Sequence, residues 1–248
     1  MAPDARGGQL VTYPSGGADV TACLSQPTTP GPHPGVLLIQ PVHGLIPFLQ
    51  TLADRLAAAG YVALAPALYS RLGTITTDPS GPPTEAAWEL ARQTPDPQVA
   101  LDLQNALSYL ARLPSVGDCK LGAIGFCAGG RYGLFLAAAD PRLAALVAFH
   151  PTVTDEAPLP GRPTLVWDVI AEIRCPVHVA IGDQDTPTVE KYRDRLRDTL
   201  AAHGKPYEFH LYAGGRHGFA HEGSTSHQPA VAAAAWPPAL DFVRRHLT

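Results

Sequence analysis

The sequence lacks several features that mark whole classes of protein. No stretch of about 18 consecutive apolar residues occurs among its 248 residues, which excludes an ordinary transmembrane helix. The first residues, MAPDARGGQLVTYPS, contain no apolar segment typical of a signal peptide, so a cytoplasmic location is expected. Basic residues do not exceed acidic ones, with 18 Lys and Arg against 22 Asp and Glu. This balance predicts neither a nucleic-acid partner nor an anionic membrane partner.

Cysteine is also scarce. The four cysteines form no C-x-x-C pair and have no spacing typical of a zinc site, and they are too few for a disulfide scaffold. Cys23, Cys119 and Cys175 are interpreted as small apolar residues near strands. His217 and His221 would suit a metal only on a helix, and the surrounding GGRHGF favours a loop. No metal and no other cofactor is expected.

Linkers and repeats are absent as well. The 26 prolines and 23 glycines concentrate in three stretches at 28–35, 78–83 and 157–163, and strand or helix patterns resume on both sides of each. We therefore expect one domain spanning residues 1–248. The segments 74–90 and 154–170 are expected to lie over a site, and the sequence leaves open whether they form a mobile lid.

What the sequence does contain is an alternation of strands and helices. Short apolar runs bounded by turn residues predict strands at 35–40, 61–69, 120–126, 143–150, 175–183 and 207–213. Helical spacing lies between them at 48–60, 97–114, 128–140, 186–204 and 229–247. A hairpin over 9–14 and 18–26 comes first. This order predicts an α/β fold, with a mostly parallel sheet, helices on both faces and an N-terminal β-hairpin.

One pentapeptide in this pattern points to chemistry. Gly125-Phe126-Cys127-Ala128-Gly129 lies directly between a predicted strand and a predicted helix. A sharp strand-to-helix turn that presents a nucleophile needs small residues on either side, and glycines stand there. Unpaired N–H groups at the start of a helix also stabilise a thiolate. Cys127 is therefore a candidate nucleophile.

The residues that a nucleophile needs follow in order at later strand ends. Asp183 and Asp185 come after the 175–182 run, and His217 follows the 207–213 run. The order nucleophile, Asp, His is that of the α/β-hydrolase fold. The pattern leaves open which aspartate acts with His217.

Several motifs together resemble the dienelactone hydrolase family over roughly residues 8–247: GFCAGG, GDQD, GRHGFA, AGYVALAPALYSR and a terminal helix with Trp236 and Phe242. The resemblance implies an α/β-hydrolase fold and a Cys-His-Asp triad, with Cys127 as nucleophile, His217 as base and then acid, and Asp185 orienting His217. Asp183 is then expected to cap the turn. The implied activity is cleavage of a small ester, lactone or thioester through an acyl-thioenzyme.

The resemblance also implies an oxyanion hole. One donor is the N–H of Ala128, and the loop QPVHGL at 40–45 offers the N–H of Val42 as the second, because Pro41 has none. Where the family has a glutamate that helps control the thiol, this loop has Gln40-Pro41. Direct coupling of Cys127 to His217 is the simpler hypothesis for activation.

Substrate-binding residues are less well marked. Two arginines hold the substrate carboxylate in the family, whereas here His221 stands where one would be and residues 74–90 contain no arginine. Arg71 is available, and His43, His150 and His221 lie near predicted strand ends. Each of these four is a candidate for contact with substrate, and a structural role is an equal alternative for each.

Two other functional classes compete with a hydrolase. An exposed thiol of low pKa also suits a redox or sensing protein, although no second cysteine is positioned to resolve a sulfenic acid. A non-catalytic ligand-binding protein of the same fold is the third class. For the hydrolase the expected partner is a small-molecule ester or lactone substrate, and the expected assembly is a monomer or a small homo-oligomer.

Overall fold

The architecture is an eight-stranded sheet covered by helices, seen in a computed structural model that describes residues 6–155 and 164–248. The strands are β1 (Arg6–Ser15), β2 (Ala18–Gln26), β3 (Gly35–Ile39), β4 (Val62–Pro66), β5 (Leu121–Phe126), β6 (Leu143–Phe149), β7 (Val177–Gln184) and β8 (Tyr207–Arg216). The helices are α1 (Pro47–Ala58), α2 (Glu85–Gln93), α3 (Asp96–Ala111), α4 (Ala128–Ala139), α5 (Glu190–Ala202) and α6 (Pro229–Leu247).

The strand order is β1-β2-β4-β3-β5-β6-β7-β8. β1 pairs with β2, and β2 with β4, in antiparallel fashion, and all later pairs are parallel. The hairpin turns at Gly16 and Gly17, whose φ values of 53° and 81° suit glycine. The predicted α/β-hydrolase fold, with its leading hairpin and mostly parallel sheet, is confirmed.

Helices cover both faces of the sheet because the central strands are apolar on both sides. β3, β4 and β5 are buried at every residue. One apolar cluster joins the sheet to α3, α4 and α5 through residues such as Leu103, Leu134 and Leu196. A second joins it to α1 and α6 through residues such as Leu49 and Phe242.

Most element bounds agree with the sequence patterns. The run at 61–69 ends as a strand at Pro66, since proline cannot donate to a ladder. The 74–90 segment contains the start of α2, capped by the Thr84 hydroxyl, which accepts the N–H of Ala87 at 3.4 Å. Of the 154–170 segment, residues 156–163 lie outside the described residues. Within the described part, no helix combines the length and apolar character needed to cross a bilayer.

Candidate active site

The turn between β5 and α4 places Cys127 at the carboxyl edge of the sheet. Cys127 has φ 55° and ψ −117°, a conformation that side-chain-bearing residues rarely adopt. A Cβ on Gly125 would lie 2.2 Å from the carbonyl oxygen of Gly129, and one on Gly129 would lie 2.2 Å from that of Ile39. The glycines therefore permit the close packing of strand and helix that a nucleophile turn requires.

His217 and Asp185 lie together beside this turn. Nδ1 of His217 is 2.9 Å from Oδ2 of Asp185, and Oδ1 of Asp185 accepts the N–H of Thr188 at 2.9 Å. The Asp185 side chain is fully buried, whereas that of His217 is 20% exposed. The parallel pairing of β7 and β8 brings the two loops to the same edge. A buried carboxylate thus orients an imidazole that remains partly exposed.

The imidazole also contacts the thiol, and the pair changes both pKa values. Burial acts to raise the pKa of the Cys127 thiol, but the charge and hydrogen bond of His217 outweigh it and lower that pKa. The Thr152 hydroxyl, 3.5 Å from Sγ, and the Ala128 N–H add to the lowering. Burial acts to lower the pKa of His217, but Cys127 and the hydrogen bond to Asp185 raise it to about 10. Both shifts favour the charged forms of the pair, a thiolate and an imidazolium.

Asp183 has a different environment from Asp185. Its side chain is exposed, and Oδ1 accepts the N–H of Gly214 at 2.7 Å. Its backbone carbonyl accepts a hydrogen bond from Arg193 at 3.0 Å. Asp183 therefore ties the end of β7 to β8 and makes no such bond to His217.

The loop after β3 forms the other wall of the site. The carbonyl of Val42 accepts the Tyr69 hydroxyl at 2.9 Å, and in the described part of the chain the Val42 N–H has no acceptor. Oε1 of Gln40 accepts the N–H of Leu68 at 3.0 Å, so this buried amide ties the loop to the segment after β4. Val42 and Ala128 both border the pocket that holds Cys127. Their N–H groups can serve an oxyanion.

The pocket that contains Cys127, called here the active-site pocket, has a volume of about 70 Å³. Its walls are mostly apolar and include Trp88 of α2. The described lining residues are Gln40, Pro41, Val42, Leu68, Tyr69, Trp88, Ala91, Thr94, Val99, Cys127, Ala128, Arg131, Tyr132 and Thr152.

The candidate histidines lie behind the site rather than in this pocket. His150 is fully buried, with its ring centroid 4.9 Å from that of His217 and 4.8 Å from that of His221. Neither ring nitrogen of His150 has a hydrogen-bond partner within the described chain. His43 and His221 line a separate hollow beside Glu222. We call His43, His150 and His221 the buried histidine cluster.

Burial keeps this cluster neutral. It lowers the pKa of His43, and burial together with the neighbouring histidines lowers the pKa of His150 well below its ordinary value and that of His221 to about 3. Uncharged rings beside His217 add no repulsion against its imidazolium.

The expectation that Arg71 contacts substrate has no support in the geometry. Nη2 and Nε of Arg71 donate to the Asp102 carboxylate at 2.6 and 3.2 Å, and Nη2 also donates to the Ser15 carbonyl at 2.5 Å. Arg71 is absent from the described lining of the active-site pocket. Its guanidinium instead neutralises a fully buried carboxylate on α3.

Several residues of the site carry no signal in the sequence. Thr152 lies beside the thiol. Thr188 donates its N–H to the Asp185 carboxylate and its hydroxyl to the Pro151 carbonyl, the latter at 2.8 Å. Arg131 borders the active-site pocket. These contacts join residues far apart in the chain, so a local motif cannot mark them.

A possible metal ligand set lies elsewhere. Within the described residues one group of three, His178, Glu208 and His210, brings its ligand atoms within 4.8 Å of one another. It lies toward the starts of β7 and β8, away from the carboxyl edge, and Arg245 already donates to Glu208 at 2.7 Å. The two imidazoles stack with centroids 4.6 Å apart, and Nδ1 of His178 lies 3.3 Å from Oε2 of Glu208.

Comparison with known proteins gives one consistent family. A sequence profile of the dienelactone hydrolase family matches residues 20–247. A Yersinia pestis protein named as a carboxymethylenebutenolidase is 33% identical over 237 residues, covering 95% of this chain and 87% of its own. A Bradyrhizobium protein named as a 2-oxo-3-(5-oxofuran-2-ylidene)propanoate lactonase is 29% identical over 226 residues, covering 91% and 89%.

Solved structures agree. A dienelactone hydrolase crystal structure from Klebsiella pneumoniae superposes with a TM-score of 0.89 at 28% identity, covering 98% of this chain and 99% of that one. Pyrococcus horikoshii acylaminoacyl peptidase superposes with a TM-score of 0.72 at 13% identity, covering 97% of this chain and 42% of that one. At that identity the peptidase shows a shared fold only.

Proposed function

The chain belongs to the dienelactone hydrolase family, and we propose that it cleaves a small ester, lactone or thioester with Cys127 as nucleophile, His217 as acid and base, and Asp185 as the orienting carboxylate. The enzyme is a carboxylic ester hydrolase of the dienelactone hydrolase type. The observation that carries the proposed mechanism is the chain of contacts from Asp185 through His217 to a thiol of lowered pKa.

In the first half of the reaction, the Cys127 thiolate attacks the carbonyl carbon and the carbonyl electrons move to oxygen. The N–H groups of Val42 and Ala128 donate to that oxyanion. Collapse of the intermediate breaks the bond to the alkoxide, which takes the proton of the His217 imidazolium. An acyl-thioenzyme remains; for a lactone, the alcohol stays attached to the acyl chain.

In the second half, neutral His217 removes a proton from water, and the resulting hydroxide attacks the thioester carbonyl. The Cys127 thiolate then leaves, the acid is released, and the thiolate and imidazolium are restored. Asp185 stabilises the imidazolium in both halves through the 2.9 Å hydrogen bond. In this scheme no loop glutamate is needed, because His217 lowers the pKa of the Cys127 thiol directly.

The test is acyl-group mapping after brief mixing with p-nitrophenyl butyrate, followed by peptide mass spectrometry. We expect a burst of p-nitrophenol and a butyryl group on Cys127, with both lost in Cys127→Ala. Cys119→Ser is the matched control, because Cys119 is a half-buried thiol outside the site. Full turnover in Cys127→Ala, or acylation at another residue, would contradict the mechanism. The redox alternative predicts at most one acylation of the thiol without further turnover, and the ligand-binding alternative predicts neither a burst nor turnover.

A further inference from the structure

The active-site pocket contains one basic side chain, that of Arg131, among its described lining residues. Arg131 lies on α4, four residues after Cys127, so the two side chains start from the same helix face. A cation in this place would ordinarily recruit an anionic group of the substrate. The question is whether its charge is available.

The positive charge of Arg131 is neutralised by a neighbouring carboxylate. Nη1 and Nη2 donate to Oδ1 and Oδ2 of Asp96 at 3.1 and 2.7 Å, and Nη2 also donates to the Thr164 carbonyl at 3.0 Å. The side chains of Arg131 and Asp96 are 12% and 10% exposed, so water screens the pair weakly. Tyr132 donates its hydroxyl to Oδ1 of Asp96 at 3.0 Å. The pair is bidentate and presents no net charge to the pocket.

The rest of the pocket also favours uncharged groups. Leu68, Trp88 and Val99 are apolar walls, and the volume of about 70 Å³ is small beside the ~300–1,000 Å³ of common ligand sites. A carboxylate on the acyl group would lose its water shell there and find no unpaired cation among the described lining residues. A short hydrocarbon acyl group would lose little.

We propose that the active-site pocket selects short, uncharged acyl groups, and that Asp96 is the positioning residue that sets this selectivity by neutralising Arg131. The inference rests on the proposed function, because it assumes that the acyl group of the substrate enters the pocket beside Cys127. Removing the charge of Asp96 while keeping its shape should convert the site into one that favours anions.

The first test uses two alkylating reagents of nearly equal shape, neutral iodoacetamide and anionic iodoacetate. Each transfers its carboxamidomethyl or carboxymethyl group to the Cys127 sulfur with loss of iodide, so no hydrolysis is required. The measured quantity is the ratio of the two rates at Cys127, by peptide mass spectrometry, divided by the same ratio for N-acetylcysteine. This normalisation removes the intrinsic difference between the reagents.

We expect Asp96→Asn to shift the ratio toward iodoacetate by about tenfold, as an unpaired cation acts on an anion in a poorly screened site. Arg131→Gln should shift it several-fold the other way, because no guanidinium then offsets the negative charge of Asp96. The double variant should return near the wild-type ratio. An Asp96→Asn ratio within twofold of wild type would overturn the proposal; if that variant fails to fold, an unshifted Arg131→Gln ratio would do so.

The second test compares kcat/KM for p-nitrophenyl 4-methylpentanoate and mono-p-nitrophenyl succinate, whose acyl groups differ mainly in a terminal isopropyl or carboxylate. Wild type should prefer the neutral ester by about tenfold or more, and Asp96→Asn should narrow that preference. Among neutral esters, octanoate should be poorer than butyrate. Equal turnover of the neutral and anionic esters would refute this inference alone. If the wild type turned over neither ester while the variants still shifted the ratio of alkylation rates as expected, only the proposed hydrolysis would be refuted.

Discussion

The Asp185→Asn substitution removes a buried negative charge with almost no change of shape. Oδ2 of Asp185 lies 2.9 Å from Nδ1 of His217, and Oδ1 accepts the Thr188 N–H at 2.9 Å. A hydrogen bond to a charged group contributes about 1.5–3 kcal/mol, and about 1.4 kcal/mol corresponds to one pKa unit. We therefore expect the pKa of His217, raised to about 10 in the intact site, to fall by about one to two units.

The thiol should respond in the opposite direction. The pKa of Cys127 should rise, because a less stable imidazolium stabilises the thiolate less. The thiolate should therefore form at higher pH than in the wild type. An amide that donates to Nδ1 also holds His217 in the tautomer that cannot take a proton from the thiol. We expect kcat/KM for p-nitrophenyl butyrate to fall by about 100- to 10,000-fold.

The assay is the pH profile of Cys127 alkylation by iodoacetamide, measured beside kcat/KM. Asp183→Asn is the matched control, because Asp183 is an exposed aspartate two residues away that holds the Gly214 N–H. It should leave both readouts within about twofold of wild type. A wild-type alkylation profile in Asp185→Asn, or an equal loss in Asp183→Asn, would refute the reasoning.

Three further predictions concern stability. Arg71→Met should lower the free energy of unfolding in urea by about 3–5 kcal/mol, because the buried Asp102 carboxylate loses its salt bridge. The kcat/KM of the folded variant should match that of the wild type, and a selective rise in KM would instead indicate substrate contact. Gly129→Ala should lower the free energy of unfolding by about 3 kcal/mol or more, because the added Cβ would lie 2.2 Å from the Ile39 carbonyl oxygen. An unchanged Tm would contradict that packing. The buried histidine cluster has pKa values below 6.5, so the unfolded chain binds more protons as pH falls below about 6.5. Stability should then fall by up to about 1.4 kcal/mol per pH unit per histidine, and urea midpoints unchanged between pH 7 and pH 5 would argue against neutral buried rings.

Some elements of this protein can be predicted from sequence patterns and others cannot. The strands β3 to β7 and most of the helices could be predicted, because apolar runs and glycine or proline boundaries are local features. The bounds of α2 could not, since the 74–90 segment is rich in turn residues and the helix gains its burial from the rest of the chain. The sequence could not choose between the two roles expected of Arg71 for a related reason: its partner Asp102 lies 31 residues away on another element.

By itself, the sequence determined the α/β order, the glycine-flanked turn at Cys127, and the succession of Asp185 and His217 at strand ends. Each of these depends on short-range sterics or on the rule that parallel strands end at one edge. Only the tertiary structure decided where Arg71 points and how Asp96 neutralises Arg131 across 35 residues. The reason is that a charge acts on whatever group lies within a few ångströms of it in space, and chain packing, not separation along the sequence, sets that neighbour.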